Sequence, residues 1–251
     1  MSDSAFAQAL VVGASSGIGE ALARRLAADG SRVALVARRE EELRRIMGEI
    51  NGAVGEERAI AVAHDVRNVS DVPDLVQEIA RRLGGLDLVI YATGSMPAIA
   101  ADEYDTTKDR EMLEVNLLGA VAWLNPVAER MARLGRGTIV GVGSVAGDRG
   151  RAPNPVYCTS KAGFHAYLEA LRNRLAKLGV KVVTIKPGFV DTAMTRGKEG
   201  LFWLISADRA AEIILNKARR GVVTAYVPAR WRPVMTVVRS IPSFIFSKLG
   251  F

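Results

Sequence analysis

Seven residues, Gly13-Ala14-Ser15-Ser16-Gly17-Ile18-Gly19, constrain the fold of this chain more than any other stretch. An apolar run, Ala9-Leu10-Val11-Val12, precedes them, and an amphipathic stretch, Ala21-Leu22-Ala23-Arg24-Arg25-Leu26-Ala27, follows. That order reads as strand, tight glycine turn, helix. Glycine admits positive φ and lets a phosphate come close to the backbone. The first turn of the helix offers free N–H groups and a partial positive charge, which suits a pyrophosphate. Gly13, Ser15, Ser16, Gly17, Ile18 and Gly19 are therefore the expected dinucleotide contacts. Their spacing is G-x-x-x-G-x-G, which differs from the G-x-G-x-x-G dinucleotide fingerprint.

A second pattern lies far along the chain. Tyr157 and Lys161 stand four residues apart, and Ser144 lies thirteen residues before the tyrosine. Apolar residues at Ala162, Tyr167, Leu168, Leu171, Leu175 and Leu178 recur at periods of three and four, which predicts a helix over Tyr157-Leu178. Tyr157 and Lys161 then share one face. An ammonium close to a phenol favours the phenolate and lowers its pKa from about 10. Such a phenol can give or take a proton near neutral pH.

Together, the glycine spacing and the Tyr-Lys pair resemble the short-chain dehydrogenase/reductase family, in its single-domain branch. The resemblance runs along nearly the whole chain. Leu86–Gly94 is similar to the fourth strand and its Asn-Asn-Ala-Gly ending, although Tyr91, Ala92 and Thr93 replace the usual trio and only Gly94 is kept. Val115-Asn116 resembles the family's helix asparagine. Thr138–Val145 resembles the fifth strand with its serine, and Ile185–Thr192 the Pro-Gly loop beside the nicotinamide. The resemblance implies a Rossmann-type doubly wound parallel sheet in three layers. It implies Tyr157 as general acid or base and Ser144 as hydrogen-bond donor to the substrate oxygen. It assigns Lys161 to the nicotinamide ribose and to the Tyr157 pKa, and Asn116 to a proton relay. Ala92, Gly94, Pro187, Gly188, Val190 and Thr192 become cofactor contacts, and Asp65 with Val66 the adenine contact. The implied reaction is hydride transfer between a nicotinamide cofactor and a ketone or secondary alcohol. The substrate pocket is expected from residues 95–101, 147–155 and 194–205. The family also implies pairing of subunits through two helices, with Val121, Trp123, Phe164 and Tyr167 as apolar candidates, to give a homodimer or homotetramer. The glycine spacing disfavours the sugar epimerases of the extended branch.

The second strand, Arg32–Ala37, ends without an acid and is followed by Arg38 and Arg39. An acid there would hold a ribose 2′-hydroxyl. Guanidinium groups instead suit a 2′-phosphate, so NADP(H) is the expected cofactor, with NAD(H) the alternative. Arg38 and Arg39 could otherwise start a solvated helix with Glu40, Glu41 and Glu42 as partners.

The 251 residues suffice for one α/β domain with a full core. Alternating strands and helices imply a parallel sheet covered on both faces. Polar Met1-Ser2-Asp3-Ser4 gives no sign of a signal peptide, and the lone Cys158 suits a reducing cytoplasm and reads as a packing residue. His64 and His165 are too isolated for a metal site.

Charge divides the chain at Glu212, its last acid. Residues 1–212 hold 27 acidic and 27 basic side chains, so the formal charge of +7 lies wholly beyond them. Residues 1–229 are read as the Rossmann domain and 230–251 as its basic, apolar, helical extension. Pro233 and Pro242 are expected to start and break its helices. Arg239, Pro242 and Lys248 interrupt it too often for a membrane span. It reads as an interfacial segment on anionic lipid, peripheral to the inner membrane face, or as a cover for the pocket or a subunit interface. Nucleic acid is a poor partner, because the tail aromatics sit among aliphatics and not among basic residues. The ending after Val222–Pro228 is similar to that of the decaprenylphosphoryl 2-keto-pentose reductases, which implies a bulky, apolar or lipid-linked substrate. Two other functions compete with the oxidoreductase: a non-catalytic dinucleotide sensor, and a membrane-recruited scaffold of the same fold.

Overall fold

A computed structural model describes residues 6–100, 102–197 and 199–249 of the chain. Met1–Ser4, Ala101 and Phe251, on which some expectations rested, lie outside the described residues. Strands and helices alternate: β1 (Gln8–Val12), α1 (Gly17–Ala28), β2 (Arg32–Ala37), α2 (Glu40–Val54), β3 (Ala59–Ala63), α3 (Val72–Leu83), β4 (Leu88–Tyr91) and α4 (Thr106–Leu113). After a π-helical turn at Glu114–Leu118 come α5 (Gly119–Leu134), β5 (Gly137–Val142), α6 (Pro155–Leu175) and β6 (Val180–Pro187). The chain closes with β7 (Val190–Asp191), β8 (Ile205–Ser206), α7 (Ala207–Arg219), β9 (Thr224–Val227), α8 (Trp231–Ser240) and α9 (Ser243–Phe246).

Seven strands form one parallel sheet in the order β3-β2-β1-β4-β5-β6-β9. Their sequences are apolar throughout because both faces are covered. Leu22 and Leu26 of α1, Leu43 and Ile46 of α2, and Ile214 of α7 pack on one face. Val76 and Ile79 of α3, Trp123 of α5, and Phe164 and Leu168 of α6 pack on the other. The result is the expected three-layered, doubly wound α/β fold. Strand order reverses beside β1, between β1 and β4, and a ligand crevice is expected at the carboxyl ends of the strands there.

Three expectations need correction. The helix carrying Tyr157 runs from Pro155 to Leu175. Asn154 caps it by accepting from the Tyr157 N–H at 3.2 Å, and Pro155 fills the first turn. Leu178 lies beyond its end and is exposed, so the buried stripe is Phe164, Leu168, Leu171 and Leu175. Trp123 and Phe164 are fully buried against the sheet, so neither can serve a subunit interface. The apolar tail residues also divide. Trp231 and Met235 are buried against Val145, with Val234 and Val238 packed on them, because the inward face of α8 recurs every three to four residues. Val237, Phe244, Ile245 and Leu249 stay exposed. Phe246 lies under the Arg149 guanidinium, 4.4 Å from its ring centre.

Candidate active site

A cleft of about 520 Å³ opens at the carboxyl ends of β1, β4, β5 and β6. The glycine turn forms its floor. Gly13 has φ of 96°, and a Cβ there would stand 2.7 Å from the Thr93 backbone nitrogen. Gly17 has φ of 55°, and a Cβ there would stand 2.9 Å from Thr192 Cγ2. Both positions therefore require glycine, for conformation and for space. Ser16 sits at the N-cap of α1 with no side-chain cap. The first-turn N–H groups of α1 are thus left to a ligand, and the pocket has the cradle that a pyrophosphate needs.

At one end of the cleft, Arg39 turns back onto the glycine turn and donates to the Ser15 carbonyl and hydroxyl, both at 3.0 Å. Arg38 lines the same end, 3.9 Å from Asp65. The acids that follow are engaged elsewhere, Glu40 with Arg44 and Glu42 with Arg45. Two cations therefore face the cleft. Asp65 is held by Arg67 at 2.6 Å, and this hydrogen bond is the largest cause of its lowered pKa.

The other end is built on β5, α6 and the π-helical turn. Ser144 follows β5 and Tyr157 opens α6; both line the cleft with Lys161. Lys161 Nζ donates to the Val142 carbonyl at 3.4 Å. A Cβ on Gly94 would come within 3.3 Å of that ammonium, so the glycine leaves the lysine room. Burial lowers the Lys161 pKa to about 8. The Tyr157 pKa is raised, opposite to the sequence expectation. Burial is the largest cause, a hydrogen bond with Ser144 and the charge of Arg151 act the other way, and the Lys161 ammonium stands 5.9 Å from the ring centre.

Asn116 lies beneath the cleft wall. Its side chain accepts from the Ser95 N–H at 2.7 Å and donates to the Ser95 carbonyl and to Ser160 Oγ. It thereby ties the loop after β4 to α6. Tyr91 also changes the local bonding: its buried hydroxyl donates to the Val115 carbonyl at 2.7 Å, locking β4 to the π-helical turn. The remaining expected contacts, Ile18, Gly19, Val66, Ala92, Pro187, Gly188 and Val190, all line the cleft. So do His64, Thr93, Ser95, Met194 and Thr195. Ser95, Met194 and Thr195 fall in segments expected to line the pocket, whereas His64 and Thr93 were not among the expected contacts.

A family model described as short chain dehydrogenase matches residues 7–200. The chain belongs to the short-chain dehydrogenase family. It is an oxidoreductase of that family. An uncharacterized oxidoreductase of Staphylococcus epidermidis is 34% identical over 191 residues, covering 76% of this chain and 81% of the relative. One from Staphylococcus aureus is 33% identical over 187 residues, covering 74% and 79%. Among solved short-chain dehydrogenase folds, a variant of actinorhodin polyketide ketoreductase with NADPH is 30% identical, with a TM-score of 0.79 over 90% of this chain and 96% of that one. The 3-oxoacyl-[acyl-carrier protein] reductase of Brucella melitensis, 23% identical with a TM-score of 0.79 over 89% and 91%, shares the fold. The family match ends at residue 200, ahead of the tail. Among the described residues, no helix is long and apolar enough to cross a membrane.

Proposed function

We propose that this short-chain dehydrogenase reduces a ketone to a secondary alcohol, or runs the reverse reaction, with NADP(H). One observation carries the proposal: Ser144, Tyr157 and Lys161 line the same cleft as the glycine turn and Arg39. The bound nicotinamide supplies or accepts the hydride. Tyr157 delivers a proton to the substrate oxygen in reduction and removes it in oxidation. Ser144 donates a hydrogen bond to that oxygen. Lys161 holds the nicotinamide ribose, and its charge favours the phenolate once ligand and water rearrange around it. Asn116 orders the loop and helix between which protons reach Lys161. Arg38 and Arg39 take the 2′-phosphate, while NADH lacks a group for them. The sensor and scaffold readings account for the fold but not for this triad.

The substrate we infer is bulky and apolar, and lipid linkage fits it. Phe189, Phe202, Trp203 and Trp231 form an aromatic cluster, with ring centres 5.1–5.6 Å apart, against Gly188. Phe202 and Trp203 are exposed, and the cluster meets the cleft where Trp231 lies against Gly188. The tail, with Phe244, Ile245 and Leu249 outward and basic residues around them, supports a cytoplasmic enzyme working on an anionic membrane surface. Subunits pair through the outward faces of α5 and α6, where Val121 and Tyr167 are half-buried, with Leu118 exposed at the end of the π-helical turn just before α5.

Tyr157→Phe tests the chemistry. The substitution removes the ionisable oxygen and keeps the ring in place. NADPH affinity should persist while turnover of a ketone panel falls by about 10²-fold or more. Wild-type turnover in the variant would remove Tyr157 from the reaction.

A further inference from the structure

The reaction centre rests on a buried charged cluster that none of the roles above uses. Asp148 ends the short helical turn Val145–Asp148 that follows Ser144. Its side chain is 1% exposed. Lys186, the residue before Pro187, donates to Asp148 Oδ1 at 2.5 Å, and the Tyr226 hydroxyl donates to Oδ2 at 2.6 Å. Oδ1 also faces His165 Nδ1 at 3.8 Å. On the far side of that ring, Nε2 accepts the Ser144 backbone N–H at 3.4 Å. The imidazole fills the space above two glycines: a Cβ on Gly143 would stand 2.6 Å from its Cδ2, and one on Gly147 2.7 Å from its Cε1.

Only an unprotonated ring nitrogen accepts an N–H. A neutral His165 that accepts at Nε2 carries its hydrogen on Nδ1, the atom that faces the Asp148 carboxylate. We propose that His165 is a positioning residue: Asp148 selects its Nδ1–H tautomer, and its Nε2 holds the Ser144 amide so that the serine hydroxyl faces Tyr157. The catalytic consequence rests on the reading of Ser144 as the group that binds the substrate oxygen. The charged groups facing the ring are Asp148 from the turn, Lys186 from β6 and Lys161 from α6. Burial and the two lysines oppose protonation, Asp148 favours it, and the His165 pKa is lowered to about 3. The ring is therefore a fixed acceptor at working pH and not a proton carrier. Lys186 also joins this cluster to the loop on the opposite wall of the cleft, so one ion pair sets both walls.

The test starts without turnover. The chain has two histidines, so ring ¹⁵N spectra of the protein, with His165→Gln for assignment, resolve His165 alone. The expected result is a neutral Nδ1–H ring, unchanged from about pH 5 to about pH 8. An Nε2–H ring, or a charged one at neutral pH, overturns the proposal whether or not any ketone is reduced. Lys186→Met removes one opposing cation. The His165 titration should rise by at least about one pH unit, and kcat should gain an acidic limb at the same pH. That limb should vanish in Lys186→Met/His165→Gln. A limb that survives without the histidine overturns the assignment. Glutamine can present an oxygen near the Nε2 position, and leucine cannot accept. His165→Gln should keep kcat within about threefold, while His165→Leu loses about tenfold or more with NADPH binding intact. Equal loss in both would mark the ring as packing alone.

Discussion

Burial, and not an ion pair, governs Lys161. Its ammonium is 3% exposed as a residue, bonds one carbonyl, and has its pKa lowered from the ordinary 10.5 to about 8. Between those values the unfolded chain binds more protons than the folded one, so stability of the cofactor-free protein rises with pH. Tyr157, whose folded pKa is raised, adds the opposite trend above about pH 10. The clean window is therefore from about pH 8 to about pH 10. Urea midpoints should climb across it in the wild type, by an amount on the order of a few kcal/mol in stability. They should stay flat in Lys161→Met, and matching slopes for the two would mean that the ammonium is solvated. At this scale the sequence displayed Ser144, Tyr157 and Lys161 as types at a spacing. It did not display the direction of the Tyr157 shift, because burial depends on what α4 and the loop after β4 lay over the ring. His165 and Asp148 were hidden for a related reason. Their partners Ser144 and Lys186 lie 21 and 38 residues away in sequence; the packing of α6 against the turn after β5 brings the first pair together, and the β5–β6 pairing the second.

On the proposed reading, the start of α2 sets the cofactor at the element scale. Arg38 leaves β2 and Arg39 caps α2, so both guanidinium groups stand at the carboxyl end of the sheet, beside the glycine turn. Arg39 also steadies that turn through Ser15, a contact useful to either cofactor, whereas among the described residues Arg38 has only a 3.9 Å pairing with Asp65. A charged hydrogen bond contributes about 1.5–3 kcal/mol. Arg38→Ala should accordingly weaken NADPH by about tenfold or more and leave NADH nearly unchanged. Arg38→Ala/Arg39→Ala should weaken both, NADPH the more. Fluorescence titration of each variant reads the ratio. A ratio that stays constant, or a wild type that binds both cofactors equally, would defeat the NADP(H) assignment. The strand-turn-helix unit was legible because its signal is local: apolar run, glycines, amphipathic run. The bounds of α6 were not, since Asn154 and Pro155 set its start and a stripe count cannot see a cap.

Across the whole molecule, the tail is half core and half surface. Trp231 presses on Gly188, and Arg149, five residues past Ser144, donates to the carbonyls of Val238, Arg239 and Ile241 at the end of α8. That guanidinium also sits where the helix dipole favours a cation. The tail is thus clasped to the reaction centre, and Phe246 belongs to the clasp. Phe244, Ile245 and Leu249 do not, so their replacement by serine should spare hydride transfer on a small soluble ketone. Sedimentation tests the assembly and the membrane together. Without lipid, wild type and triple variant should both run as a dimer or larger. With vesicles, only the wild type should pellet, more on anionic than on neutral lipid and less with added salt, since exposed charge is screened within about 8 Å at physiological ionic strength. A monomer would refute the pairing of α5 and α6. Equal capture of both proteins, or of neither, would refute the lipid surface.

The sequence by itself determined the three-layered sheet, the glycine turn for a dinucleotide and the family. Those follow from periodicity and from motifs whose parts lie within a few residues of one another, where local backbone geometry fixes their relation. The tertiary structure alone decided which apolar residues are core. Trp123 and Phe164 look like interface residues on a helical wheel, yet the sheet covers them; Met235 and Phe244 look alike in sequence, yet only the first meets Val145. It also set the direction of the pKa shifts at the centre. Desolvation of Tyr157, Lys161 and His165 is a sum over neighbours from distant segments, and no window of sequence contains that sum.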